Sequence, residues 1–229
     1  MPGSHVDAAG PGAGLDAPPA TVPEALERHE RLLAVGAPTT DLCRVSRPAV
    51  SFGIGVARDT PYLGRARAEG IEAVARGGGG SGLLHLDGDW LWAIVLPRSD
   101  PRVGRDYARA YARLGTAVVR ALGAVGVDAR WGDPPAAAEA YCTLSSRGQV
   151  LRVGSRILGG AAQHLTGRAL LHHGTVSWSV DRPTIGRLFD LGQSSAVAEL
   201  AGVGELRPAL DPSAVGAQLA RALRAERER

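Results

Sequence analysis

Between Ile71 and Leu96 the chain leaves no room for a helix, and this limits the fold more than any other feature. Ile71–Ala75 reads as a short strand, Arg76 follows, and then Gly77–Gly80, Ser81 and Gly82 lead into two apolar, β-prone runs, Leu83–Leu86 and Trp90–Leu96. A phosphate-binding P-loop needs Gly-x-x-x-x-Gly-Lys-[Ser/Thr] and then a helix. The dinucleotide fingerprint Gly-x-Gly-x-x-Gly also opens a helix. Neither fits, because strands follow the glycines and no frame along them satisfies the fingerprint cleanly. What remains is strand, glycine turn, strand, with exposed amides near Arg76 that can pack against a flat or anionic ligand. Asp87-Gly88 between the two apolar runs predicts a type I′ hairpin.

The rest of the chain supports an α+β domain. Thr21-Val22-Pro23-Glu24 is a capping-box pattern opening a helix that ends before Gly36. Strand-like runs follow at Leu42–Ser46 and Ala49–Val56, and Thr60-Pro61 opens a second helix stopped by Gly70. Asp106–Gly126 carries a helical stripe of Tyr107, Tyr111, Leu114, Val118, Val119 and Leu122. Val127–Trp131, Val150–Val153, Arg156–Gln163 and Ala169–Val180 read as strands, with a tight turn at Gly154-Ser155. Two short helices and an amphipathic tail, Pro212–Glu228 capped by Asp211, complete the series. Strands in neighbouring runs with helices inserted between them predict a mixed, largely antiparallel sheet flanked by helices. The expected organisation is a disordered leader over 1–20, one domain over 21–210, and a C-terminal helix over 211–229 packed on it.

Composition excludes some functions. No apolar run approaches the roughly 20 residues of a membrane span, and no secretory signal pattern opens the chain, so a cytoplasmic protein is expected. Two cysteines, Cys43 and Cys142, are too few for a disulfide framework. All 26 basic residues are arginine, which rules out any mechanism using a lysine of this chain. They are dispersed, so the net charge of +3 suits an acidic protein partner better than a nucleic-acid groove.

Four segments then resemble, in order, the biotin/lipoate protein ligase and octanoyltransferase superfamily. VARGGGGSGLLHLDGD resembles its Arg-x-(Ser/Thr)-Gly-Gly-x-Ala-Val-x-His motif, with Arg76, Gly79, Gly80 and His85 on matching positions. RPAVSFGIG resembles the Arg-Pro-x-x-Ser-x-Gly segment, VGSRILGGAAQ the Gly-x-Lys-Ile-x-Gly-x-Ala-Gln segment, and LLHHGTVSW the His-His-Gly-Thr segment. The resemblance implies the family's class II ligase-like catalytic domain. It also implies a glycine loop lining the pocket for an acyl chain and its activated carboxyl end. Substrate-binding residues are then expected at Arg76, Gly78, Gly79, Gly80, Ser81, His85, Gly159, Gly160, Ala161 and His173.

The family's lysine position holds Arg156, which keeps a positive charge for a carbonyl or phosphate oxygen and cannot serve as a base. Cys142 stands about where one branch of octanoyltransferases carries its nucleophile, so Cys142 and Arg156 are the expected catalytic pair, while Cys43 matches no family site and belongs to the core. A thiolate can take an acyl group from a carrier thioester, and a lysine of the acceptor can then capture it as an amide. His172 and His173 point to opposite faces of a strand, so either can face the pocket. No metal site is expected. The leading reading is an octanoyl- or lipoyltransferase acting through acyl-Cys142. It needs no cofactor, with acyl carrier protein as possible donor and a lipoyl domain of a 2-oxoacid dehydrogenase or glycine-cleavage H protein as acceptor. The alternatives are an ATP- and Mg-dependent lipoate–protein ligase and an inactive acyl-binding homologue. Asp89, where ligases carry an Asn touching the nucleotide, would set a negative charge near phosphates and count against ATP.

Overall fold

The computed structural model describes residues 17–104, 107–145, 149–192 and 194–229. A seven-stranded sheet runs in the order β1 (Pro19–Ala20), β2 (Thr39–Val45), β6 (Trp90–Pro97), β10 (Ala169–Val176), β9 (Arg156–Leu165), β8 (Val150–Val153), β7 (Arg130–Gly132). Its β1–β2 pair is parallel and every other pair antiparallel. A smaller sheet places β3 (Ala49–Gly53) between β4 (Glu72–Arg76), parallel to it, and β5 (Gly82–His85), antiparallel. The fold is α+β, with mixed, mostly antiparallel pairing and flanking helices.

The helices are α1 (Val22–Val35), α2 (Pro61–Ala68), α3 (Tyr107–Gly123), α4 (Arg182–Leu188), α5 (Ser195–Glu199), α6 (Val203–Leu206) and α7 (Pro212–Arg227). The capping box forms as the sequence predicts: the Thr21 hydroxyl accepts from the Glu24 amide while the Glu24 carboxylate accepts from the Thr21 amide. Asp211 caps α7 by accepting from the Ser213 amide. None of the described helices is long and apolar enough to cross a membrane.

The apolar run of β6 is uninterrupted because both of its faces are covered. Trp90, Trp92, Ile94 and Leu96 pack with Leu114, Val118 and Leu122 of α3 and Leu219 and Leu223 of α7. On the opposite face, Leu91 packs with Leu26 of α1 and Cys43, and Ala93 and Val95 with Leu33 of α1 and Leu171 of β10. A separate core joins the small sheet to α2, α4 and α5 through Phe52, Tyr62, Leu63, Leu84, Phe189 and Val197.

Three expectations are corrected. The Asp87-Gly88 turn does not close a hairpin: β5 pairs with β3 and β6 with β2 and β10, so the turn carries the chain from one sheet to the other. Three short helices, not two, precede the tail. The strand expected at Val127–Trp131 is confined to Arg130–Gly132. The expected leader lies largely outside the described residues, but Pro19–Ala20 within it pair with β2.

Candidate active site

Two residues apart on one strand face means the same wall, and β10 uses this to divide its polar residues. His173 and Thr175 face α1 and line a small pocket. His172 faces the other way, into the main core against Trp92 and Tyr111, with ring centroids 5.1 Å and 4.7 Å away. The open choice between the paired histidines is thereby decided for His173. The other walls are Leu26 and His29 of α1, Leu91 of β6, Gly160–Ala162 of β9, and Ser51, Arg76, Leu83 and His85 of the small sheet. Cys142 and Thr143, from a 3₁₀ turn over Cys142–Leu144, complete the lining.

A continuous polar chain runs along one side of this pocket. The buried Arg76 guanidinium donates from Nη2 to Cys142 Sγ at 3.4 Å and from Nη1 to Ser51 Oγ at 2.9 Å. Ser51 Oγ lies 2.7 Å from His85 Nε2, and His85 Nδ1 lies 3.1 Å from Thr175 Oγ1. The set is satisfied by Ser51 donating to Nε2 and by the Nδ1–H donating to Thr175. Burial, with the charge of Arg76 adding to it, pushes His85 down to about 3, so the ring is neutral and both nitrogens are engaged. His85 therefore orients its neighbours and holds no proton to give at neutral pH. His173 is pushed well below its ordinary value by burial, then by the charges of His29 and Arg76.

The glycine loop packs directly onto these groups. Arg76 donates to the carbonyls of Gly79 and Ser81, at 3.0 Å and 2.8 Å from Nη2. Gly80 has φ +89°, and a Cβ there would stand 2.7 Å from Cys142 Sγ. A Cβ at Gly78 would stand 2.7 Å from His173 Nε2. Glycine is required here because backbone must lie against the Cys142 and His173 side chains. Gly79, Gly80 and Ser81 also border a second depression with Ile54, Gly55, Val56, Glu139 and Ser145.

Of the other expected residues, Gly160 and Ala161 line the pocket, and Gly159 packs under the Thr175 carbonyl. Arg156, at the β8–β9 turn, is not among the described pocket-lining residues, and its Nη2 donates to the Leu200 carbonyl at 3.3 Å. The cation at Cys142 is Arg76. Cys43 is fully buried in the α1 core, and burial pushes its thiol up to about 12. Asp89 is also turned inward: its carboxylate accepts from the amides of Leu86 at 3.0 Å and Trp178 at 2.8 Å, and it lines none of the pockets described above. The charge expected near phosphates is spent inside the fold. Among the described residues no group of three or more His, Cys, Asp or Glu is placed to hold a metal.

Sequence reasoning did not single out Ser51, Thr175 or Thr143, although the first two stand inside the quoted RPAVSFGIG and LLHHGTVSW segments. It also missed His29, a lone histidine on the leucine stripe of α1, for which the sequence carries no distinguishing signal.

Comparison with known proteins places this geometry. The family model described as the lipoyl protein ligase A/B catalytic domain matches residues 24–226. A curated relative, octanoyltransferase LipM of Macrococcus caseolyticus (strain JCSC5402), is 26% identical over 138 residues, covering 56% of this chain and 49% of that protein. The chain thus matches about half the length of this relative. A lipoate-protein ligase A bound with ATP superposes with TM-score 0.72 at 19% identity, over 93% of this chain and 85% of that one. A bi-partite lipoate protein ligase studied with its E2 lipoyl domain, from Thermoplasma acidophilum, gives TM-score 0.69 at 19% identity over 94% and 84%. The match of nearly the whole described chain to one family model, on a fold shared with these structures, makes this chain a member of the lipoyl protein ligase A/B catalytic-domain family.

Proposed function

We propose that this chain is an acyltransferase that carries a medium-length acyl group, octanoyl or lipoyl, through a thioester on Cys142. The observation that carries the reading is Cys142 Sγ on the wall of an apolar pocket, 3.4 Å from the buried Arg76 guanidinium. A cation against the sulfur faces the atom that must bear negative charge during attack. The Cys142 thiolate adds to the carbonyl carbon of a carrier thioester, and the carrier thiolate leaves with its electron pair. The acceptor's uncharged lysine amine then attacks the acyl-Cys142 carbonyl, forming an amide and returning the thiol after proton transfer from nitrogen to sulfur. Arg76 takes over the charge-stabilising role expected of Arg156, while Ser51 and His85 hold Arg76 in place.

The proposed donor is an acylated carrier protein, and the proposed acceptor a lipoyl domain or glycine-cleavage H protein. The likeness to a ligase studied with its E2 lipoyl domain supports the lipoyl domain as acceptor, and the weak match to an octanoyltransferase supports the acyl group. The second reading is an ATP-dependent lipoate ligase, favoured by the fold shared with a ligase bound to ATP. The residues here fit nucleotide and Mg²⁺ less well. No carboxylate lines the pocket among the described residues, and Arg76 already serves two carbonyls, a hydroxyl and the thiol.

The test is the intact mass of the protein after mixing with octanoyl-loaded acyl carrier protein without ATP, beside Cys142→Ala. An octanoyl adduct on the wild type alone, discharged by apo lipoyl domain, is expected. No adduct, with lipoylation appearing only when ATP and free lipoate are added, would establish the ligase reading. Failure of both would leave a binding protein.

A further inference from the structure

Three segments of chain, 53–56, 79–82 and 139–145, are tied to one another around Cys142. The Ile54 amide donates to the Gly78 carbonyl at 3.3 Å, and the Gly82 amide to the Ala140 carbonyl at 3.1 Å. Ser145 Oγ donates to the Cys142 carbonyl, also at 3.3 Å. These segments supply the border of the second depression, including Gly80, whose Cβ position is 2.7 Å from Cys142 Sγ. The depression thus comes within a single residue of the sulfur. Its chemistry differs from that of the apolar pocket. Ile54, 73% exposed, is one of two large hydrophobic residues left in solvent among the described residues, and Val56 borders the depression with it. Glu139, also exposed, is the one charged residue among the described residues that border it. Apolar walls beside a carboxylate suit an alkyl chain that ends in a cation, and the carboxylate disfavours an anion. A lysine side chain is such a group, four methylenes and an ammonium. All 26 basic residues of this chain are arginine, so none of its own side chains can capture acyl-Cys142 as a lysine amide.

We propose that this depression receives the acceptor's lysine, with its methylenes against Ile54 and Val56 and its ammonium at Glu139, so that the amine reaches acyl-Cys142 past Gly80 while the acyl chain occupies the apolar pocket. The proposal rests on the thioester reading above and adds to it the path of the second substrate. The ammonium gives up one proton to water. The amine nitrogen then bonds to the thioester carbon as the carbon–sulfur bond breaks, and a second nitrogen-bound proton passes to the departing thiolate. Glu139 is a positioning residue here, since it holds the lysine and does not touch the reacting carbon.

A lysine-free chain makes the test direct, because an introduced lysine is the only one present. Ile54→Lys is mixed with octanoyl-loaded acyl carrier protein without ATP, then treated with neutral hydroxylamine, which cleaves thioesters and leaves amides. Intact mass counts the octanoyl groups retained, and peptide mapping locates them. The controls are the wild type, Ile54→Lys combined with Cys142→Ala, and Val35→Lys at the exposed last residue of α1. A retained octanoyl group at position 54 is expected for Ile54→Lys alone. Complete removal of the group from Ile54→Lys, as from the wild type, would overturn this inference and keep the transferase. No adduct on the wild type would remove both. Both positions are exposed, so neither substitution disturbs the core. Glu139→Gln is expected to load at the wild-type rate and to discharge to apo lipoyl domain roughly fivefold more slowly at low acceptor concentration, the loss vanishing at saturation. Unchanged discharge at low acceptor concentration would overturn the role given to Glu139.

Discussion

Arg76 performs two tasks that the sequence suggested would fall to different residues. It ties down the glycine loop through the Gly79 and Ser81 carbonyls, and the same Nη2 faces Cys142. Replacing it with glutamine removes the charge and most of the fork. Loss of one preorganised donor at a developing oxyanion typically lowers the rate on the order of a hundredfold to a thousandfold. Arg76→Gln is therefore expected to slow acyl loading of Cys142 by about a hundredfold or more, in stopped reactions followed by mass. Arg156→Gln is expected to slow it by less than about tenfold, since that guanidinium is bound to the Leu200 carbonyl. Equal losses would return the catalytic role to Arg156.

The glycine loop is an element defined by what it lies against. Gly80→Ala brings a methyl against Cys142 Sγ in a left-handed backbone region, so both strain and crowding act at the thiol. Stability should fall by roughly 1–2 kcal/mol in urea titrations, while loading falls far more. Comparable small losses in both would show that the loop only closes the fold. Helices were the legible elements. Thr21 with Glu24, Pro61, Gly70 and Asp211 act within a few residues of where they stand, and each marks a real helix end. Strand partners were less legible, because pairing is decided far away. Asp87-Gly88 has the local chemistry of a hairpin, yet β5 is claimed by β3 and β6 by β2 and β10. The site followed the same division. The motif segments supply stretches of chain that line one pocket, but which residue of each faces it depended on strand faces and on a turn geometry no local pattern encodes. Hence Ser51, Thr175 and His29 came into view only in three dimensions.

At the scale of the whole molecule, buried titratable groups set how stability responds to acid. Burial holds His85 and His172 at about 3 in the folded chain, against about 6.5 unfolded, and shifts His173 in the same direction. Below about pH 6.5 the unfolded chain binds protons that the native fold refuses, so stability is full above that pH and is lost as pH falls toward 3. Asp89, raised by burial to about 7 from an ordinary 3.8, works with the opposite sign between pH 4 and 7, but as one group against three. His172→Leu removes one proton from this linkage without touching the pocket. Its unfolding free energy is expected to match the wild type within about 1 kcal/mol at pH 8 and to fall less steeply on acidification. The difference should be about 1.4 kcal/mol per pH unit between pH 4 and 6, read by urea unfolding. Parallel slopes would refute the assignment. The Asp89 carboxylate has another consequence. One oxygen holds the chain just beyond β5, the other just beyond β10, and these strands belong to different sheets that both line the pocket. A single side chain is thus a rivet across the fault line on which the cleft is built. Without it, each sheet can keep its own ladder while the two slide out of alignment. Asp89→Ala should therefore lose acyl loading several degrees below the temperature at which its circular dichroism melts, whereas in the wild type the two losses coincide: misalignment would become a way to fail that is separate from unfolding.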